Sequence, residues 1–278
     1  MTSFANNLKT TVLMAALIGL IGWVGWMIGS FSGLLVAGMI AVSINLVIWY
    51  FSDRIAITTM RGQEADVLSS PELMSLVRHL SKRAGIPMPR VFICPQEASN
   101  AFATGRNPDH AAVAVTRGAL RLLEPDELEG VMAHEIAHIK NRDTMTSTIA
   151  ASLAGIFSIL AQWAFFFGLS GGREAHPINA FIAIMFGAVG AVLIKAMISR
   201  SREYVADADG ARIAGSSAGL ISALWKLDAS SRQVPMENPN PAMNNLFIVE
   251  PFTRGVLTRL FATHPPTDQR VSALISAK

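Results

Sequence analysis

The sequence predicts a mainly α membrane protein: four transmembrane helices carrying a cytoplasmic α+β domain with a small sheet. Three observations lead there. Apolar residues make up 51% of the 278, and charged residues only 15%, against about 25% in an average soluble domain. The apolar residues are clumped into charge-free runs. Lysine and arginine gather on one side of those runs. The balance of 23 basic to 20 acidic side chains leaves a net charge of +3, and no nucleic-acid-binding motif is present, so no nucleic-acid partner is expected. Cys94 is the only cysteine, which excludes an intrachain disulfide and a cysteine-based zinc cluster. It reads as a small buried residue.

The first charge-free run covers residues 10–52, 43 in all. As one straight helix it would extend roughly 65 Å, twice a bilayer core. A break is therefore expected at Gly29-Ser30-Phe31-Ser32-Gly33, giving two spans at 11–29 and 34–51. Two further runs, 144–172 and 175–194, each reach the ~20 residues that a transmembrane helix needs. A cleaved signal peptide is the competing reading for the first span, but the second follows at once without a clear small-residue cleavage site. Buried core helices compete for the later pair. Phe157, Trp163, Phe165, Phe166 and Phe167, then Phe181 and Phe186, favour lipid.

Lys9, Arg54, Arg61, Lys140, Arg142, Lys195, Arg200 and Arg202 flank the spans on one side, and Arg173 stands alone on the other. The positive-inside bias puts both termini and the polar sequence in the cytoplasm. The expected layout is two spans in 1–52, a catalytic segment in 53–143, two spans in 144–198 and a second catalytic segment in 199–278.

Within 53–143, Ser70-Pro71-Glu72 predicts a helix start with a hydroxyl cap, a first-turn proline and an acid near the positive end of the dipole. Leu73, Leu76, Val77 and Leu80 keep helical spacing to a stop at Gly85. Pro87 and Pro89 lead into an extended Val91-Phe92-Ile93, and Val113 with Val115 predicts a second strand. A helix is expected from about Pro125 to Arg142, with Leu128, Val131, Met132 and Ile139 buried. Arg200 to Ala214 reads as a helix leaving the fourth span. Residues 234–245, with three prolines and four asparagines, read as a loop, and a last helix follows Pro266.

The chemistry concentrates in His134-Glu135-Ile136-Ala137-His138. On a helix, i and i+4 share a face, so two imidazoles can grip one zinc ion with a glutamate beside it. Zinc needs a third protein ligand and an open fourth position. A third histidine in the 11-residue form would fall at Thr144, so that version fails. The alternative is a glutamate on a later helix, the glutamate-zincin arrangement. Glu203 is placed for that role, and Asp207, one turn on, for a bond to a ligating imidazole.

His134–His138, the Arg202-Glu203-Tyr204…Asp207 stretch, Asn100-Ala101-Phe102-Ala103 and Thr263-His264-Pro265-Pro266 together resemble the HtpX family of bacterial membrane zinc proteases, relatives of the CAAX prenyl proteases. The resemblance covers nearly the whole chain. It implies a multi-pass zinc endopeptidase of the bacterial inner membrane, facing the cytoplasm, with one Zn2+ per chain. Quality control of damaged or misfolded membrane proteins under stress would be its task. Membrane-protein or unfolded polypeptide substrates and the lipid bilayer would be its partners. Carried over by position, His134, His138 and Glu203 would bind zinc, and Glu135 would be the general base. Asn100, Ala101 and Phe102 would lie on an edge strand that receives the substrate backbone. His264 resembles a family histidine near the site, as a donor to the oxyanion or as a residue ordering the Pro265-Pro266 turn.

Two other function classes remain at this level. A membrane scaffold with a structural zinc site would not require Glu135. A transporter would call for ionisable residues in mid-span, and none is found there.

Overall fold

The charge-free N-terminal run folds as helix α1, Thr2–Thr59. A computed structural model describes residues 2–144, 200–233, 248 and 264–276. The helix runs from Thr2 to Thr59 as one element, where the sequence predicts two separate spans. The chain nevertheless reverses at the expected place. Ser30 takes a left-handed φ of +52°, and a Cβ on Gly22 would meet the Leu34 side chain at 3.1 Å. In a straight helix those positions would be about 18 Å apart, beyond the reach of a leucine. The two halves of α1 therefore lie against each other, with Ser30 at the bend. Among the described residues, Ser30–Phe51 is the stretch long and apolar enough to cross a membrane. It begins four residues before the predicted second span. The third and fourth spans, beyond Thr144, lie outside the described residues, as does the 234–245 loop.

After α1 come β1 (Gln63–Glu64), α2 (Pro71–Ala84), β2 (Arg90–Cys94), β3 (Ala101–Gly105) and β4 (Ala111–Thr116). They form a four-stranded sheet in the order β1-β2-β4-β3. β2 and β4 are parallel, and β1 and β3 pair antiparallel at the two edges. Alternation along the strands divides the side chains between the faces. Phe92, Cys94, Phe102, Ala112 and Ala114 cluster with Ala56, Ile57 and Met60 of α1. Val91, Ala101, Ala103, Ala111, Val113 and Val115 belong to the main core, with α2 and the later helices.

α3 (Arg117–Leu122) leads into α4 (Pro125–Asn141), the expected motif helix. α5 (Arg200–Ala214), α6 (Ala218–Gln233) and α7 (Thr267–Ser276) complete the described fold. α4 lies between the sheet and the α5–α6 pair, and its residues from Gly130 to Ala137 are buried. Close approach needs glycine. A Cβ on Gly210 of α5 would lie 2.9 Å from the His134 Cα, too near for any larger residue without a shift. Glu127, buried at the start of α4, accepts from Ser222 Oγ (2.6 Å) and Lys226 Nζ (2.8 Å) and so ties α4 to α6.

One local expectation fails. The Ser70 hydroxyl makes no cap bond to α2. Its carbonyl instead accepts the Met74 N–H at 3.0 Å, and the first-turn proline leaves one fewer donor to satisfy. Gly85 ends α2 with φ +72°, as the sequence predicts.

Candidate active site

α4 presents His134 and His138 one turn apart, and α5 brings Glu203 over them. Their ligand atoms all lie within 4.8 Å of one another. His134 Nε2 and His138 Nε2 are 3.0 Å apart, and each lies 3.7 Å from a Glu203 oxygen. The opposite ring nitrogens are engaged by carboxylates: His134 Nδ1 with Asp207 Oδ1 at 2.9 Å, and His138 Nδ1 with Asp143 Oδ1 at 3.0 Å. A carboxylate on Nδ1 fixes the tautomer that leaves a lone pair on Nε2. The two lone pairs then converge on one point. The Glu203 carboxylate is buried beside them. Two imidazole lone pairs and a buried carboxylate fit a small divalent cation, and zinc takes this donor set at 2.0–2.2 Å, with tetrahedral edges of about 3.3 Å.

The electrostatics agree. Burial would raise the Glu203 carboxyl, but His264 and His138, with Arg270, hold it well below the usual range. Burial would depress His138, yet the Asp143 and Glu203 carboxylates hold its imidazole up at about 10. Negative potential on the Nε2 side is what a cation seeks. Burial and the neighbouring His138 push His134 down, against the pull of Asp207.

Glu135 is buried between α4 and the β3 edge, where its carboxylate takes a hydrogen bond from the Ala103 N–H. Burial, with the Glu203 charge adding and His138 opposing, pushes its carboxyl up to about 7. A group at that value can both take and return a proton at neutral pH.

The remaining sequence-predicted residues stand close by. Asp207 bonds His134, the contact its spacing predicts. His264 Nδ1 lies 2.9 Å from Glu203 Oε2, a contact that neither reading of this residue anticipates. β3 is an edge strand, as the resemblance implies, but Asn100 turns inward. Its Oδ1 accepts from the Ala101 N–H (2.9 Å) and the Ile248 N–H (3.1 Å). Phe102 is fully buried on the face toward α1. Ala101 is buried on the face toward α4.

Two participants escape the sequence reading, Asp143 and Arg270. Arg270 is fully buried and donates through Nη2 and Nε to both oxygens of Asp207, at 2.6 and 2.8 Å. Its Nη1 donates to the Ile248 carbonyl at 2.8 Å. A line of bonds thus runs from Asn100 through Ile248, Arg270 and Asp207 to His134. Arg270 and the Asp207 carboxyl, held down at about 2 against burial by that guanidinium, form the charged pair behind the ligands. The available signal was helical phase: Arg270 shares a face with Leu274 on α7, and a cation on an apolar face requires a buried partner.

Two imidazoles and a carboxylate converging beside a buried glutamate, on a helix lying along a sheet edge, define a metal-dependent peptidase of the HExxH type. Residues 68–278 match the profile of peptidase family M48, and the chain belongs to that family. A "Protease HtpX homolog" of Pelotomaculum thermopropionicum is 49% identical, covering 97% of this chain and 98% of its own length. The homolog of Salinibacter ruber is 45% identical, at 97% of each chain. Among solved structures, S. mikatae Ste24p matches with a TM-score of 0.53 at 21% identity, covering 98% of this chain and 66% of that longer one. The fold is Ste24-like, mostly helical with a small mixed sheet. The protein is a membrane metalloprotease.

Proposed function

We propose that the chain is a zinc-dependent endopeptidase of the bacterial inner membrane, cleaving damaged or misfolded membrane proteins and unfolded polypeptides under stress. The observation that carries it is the convergence of His134, His138 and Glu203 within 4.8 Å, with Glu135 beside them. In this reading His134, His138 and Glu203 hold one Zn2+. Zinc there would polarise the scissile carbonyl and bring the pKa of a water to about 7.

The chain supplies the rest. Glu135, anchored by the Ala103 N–H, takes the water proton and returns it to the leaving amine. Substrate lies as an added strand along β3, over Asn100, Ala101 and Phe102. Asn100 acts by holding the start of the strand through its bonds to Ala101 and Ile248, and Phe102 by seating it against α1. His264 donates to the developing oxyanion from the ring edge opposite its Glu203 contact. Four spans are the reading of the charge-free runs, and the cytoplasmic placement of the catalytic segments that of the charge bias around them.

Cleavage of a membrane-protein substrate by purified full-length protein tests the reading. Glu135→Gln should keep about one zinc per chain and lose cleavage, because that side chain is no ligand. Glu203→Ala should lose both. Cleavage by Glu135→Gln at the wild-type rate would remove the proposed mechanism.

A further inference from the structure

The turn after β1 carries two apolar side chains into the open: Leu68 is 94% exposed and Val67 53%. The turn is well braced. Asp66 Oδ1 accepts the N–H groups of Leu68 (2.9 Å) and Ser69 (2.7 Å), Ser69 Oγ accepts from the Asp66 N–H (3.2 Å), and the Ser70 N–H reaches the Asp66 carbonyl at 3.0 Å. This Asx turn holds the tip in one conformation.

The sheet register sets where the tip lies. Gly105 pairs with Ala111, Arg90 with Ala112, and the Ala65 N–H bonds the Val91 carbonyl. The 66–69 turn therefore leaves the sheet at the same end as the turn between β3 and β4. There, Arg106 donates to the Tyr50 carbonyl at 2.9 Å and lies over the Trp49 and Tyr50 rings, at 5.7 and 4.7 Å from their centroids. Those rings close the apolar stretch Ser30–Phe51. α1 then runs along the sheet to its other end, where the Met60 carbonyl accepts from Gln96 at 2.9 Å. Exposed aromatic rings with arginines over them mark a membrane–water boundary.

We propose that Val67 and Leu68 form a lipid anchor, inserted into the leaflet surface where α1 emerges at Trp49–Phe51. The proposal rests on the reading that Ser30–Phe51 crosses the bilayer. Two side chains are far too small a patch for a stable protein interface, whereas a bilayer surface beside an already inserted helix needs no more. α1 and the tip would give the catalytic domain two attachments to the membrane and so fix its tilt, presenting the β3 edge at a set height above the lipid.

The test uses full-length protein in vesicles of phosphatidylcholine and phosphatidylglycerol, with an environment-sensitive fluorophore on an introduced cysteine. Cys94 is buried, and burial pushes its thiol up to about 12, so it does not compete for the label. Leu68→Cys is compared with Leu46→Cys inside the apolar stretch and with Arg232→Cys. The latter lies toward the opposite sheet end, where Ser230 contacts Ser99 at 3.2 Å. Lipids brominated in the acyl chains should quench the probe at 68 about twofold, as expected for insertion of ~5–10 Å. They should quench the probe at 46 and leave that at 232 unchanged. If 46 is quenched and 68 behaves like 232, the anchor is overturned while the membrane span stands. If 46 is not quenched, the span fails and the anchor falls with it.

Discussion

Arg270 meets the Asp207 carboxylate and His264 the Glu203 carboxylate, and substitution separates their roles. Arg270 is fully buried against Asp207. Removing one partner of a buried pair leaves the other charge uncompensated, at a cost of about 3–5 kcal/mol. Arg270→Ala should therefore lower the thermal midpoint sharply, and Asp207→Asn in the same chain should recover part of the loss. If the double variant melts below Arg270→Ala, the pair is not the source. His264→Ala tests the oxyanion role: a preorganised donor is worth ~10²–10³ in rate, with zinc content retained. A single-turnover rate within about threefold of wild type, far below that share, would reduce His264 to a prop for Glu203. At this scale the sequence was legible where spacing on one helix carries the chemistry. His134, Glu135 and His138 needed only the i, i+4 rule, and Asp207 only one turn from Glu203. The partner of Arg270 was not legible, because Asp207 is 63 residues away and only the fold brings them together.

Helix α5 carries Glu203 and Asp207, and its distance from α4 decides whether the ligands converge. Gly210 sets that distance. An alanine Cβ there would come within 2.9 Å of the His134 Cα and 3.0 Å of its nitrogen. Both atoms are backbone and cannot swing aside. Gly210→Ala should push α5 away from α4, at a cost of about 1–3 kcal/mol for overpacking, and weaken metal binding by moving Glu203 away from the imidazoles. Calorimetric stability and a competitive zinc titration on the same preparation measure both effects. Unchanged zinc affinity would mean that the contact is not what positions Glu203. Most elements were readable one at a time: α2, β2, β4, α4 and α7 have caps, proline boundaries or apolar periodicity, and α5 reads as a continuation of the fourth predicted span. β1 and α3 are too short to carry a periodic signal. α6 has buried Leu220, Ala223, Leu224 and Leu227 at helical spacing behind Ser216, whose Oγ accepts the Ala218 N–H at 3.1 Å, a pattern that the sequence reading did not use.

On the scale of the whole chain, the site joins two segments that the sequence keeps apart. His134 and His138 belong to the segment before residues 145–199, and Glu203 and Asp207 to the segment after it. The resemblance to a family found both halves at once, because its motifs lie in each. What it could not give is how the halves hold together, which depends on Gly210 and on Glu127 reaching α6 and, in the proposed reading, on a shared cation. A ligand set assembled only in the folded state makes metal binding part of folding stability. Treating full-length protein with a chelator should therefore lower its thermal midpoint. Restoring zinc to a hundredfold excess over its dissociation constant should return about 2.7 kcal/mol. Glu135→Gln keeps the ligands and should show the full zinc-dependent rise. Glu203→Ala loses the ligand from the second segment and should melt at the same temperature with or without zinc. If the wild type melts identically in chelator and in zinc while still binding the ion, the metal serves chemistry alone and the two segments are joined by packing.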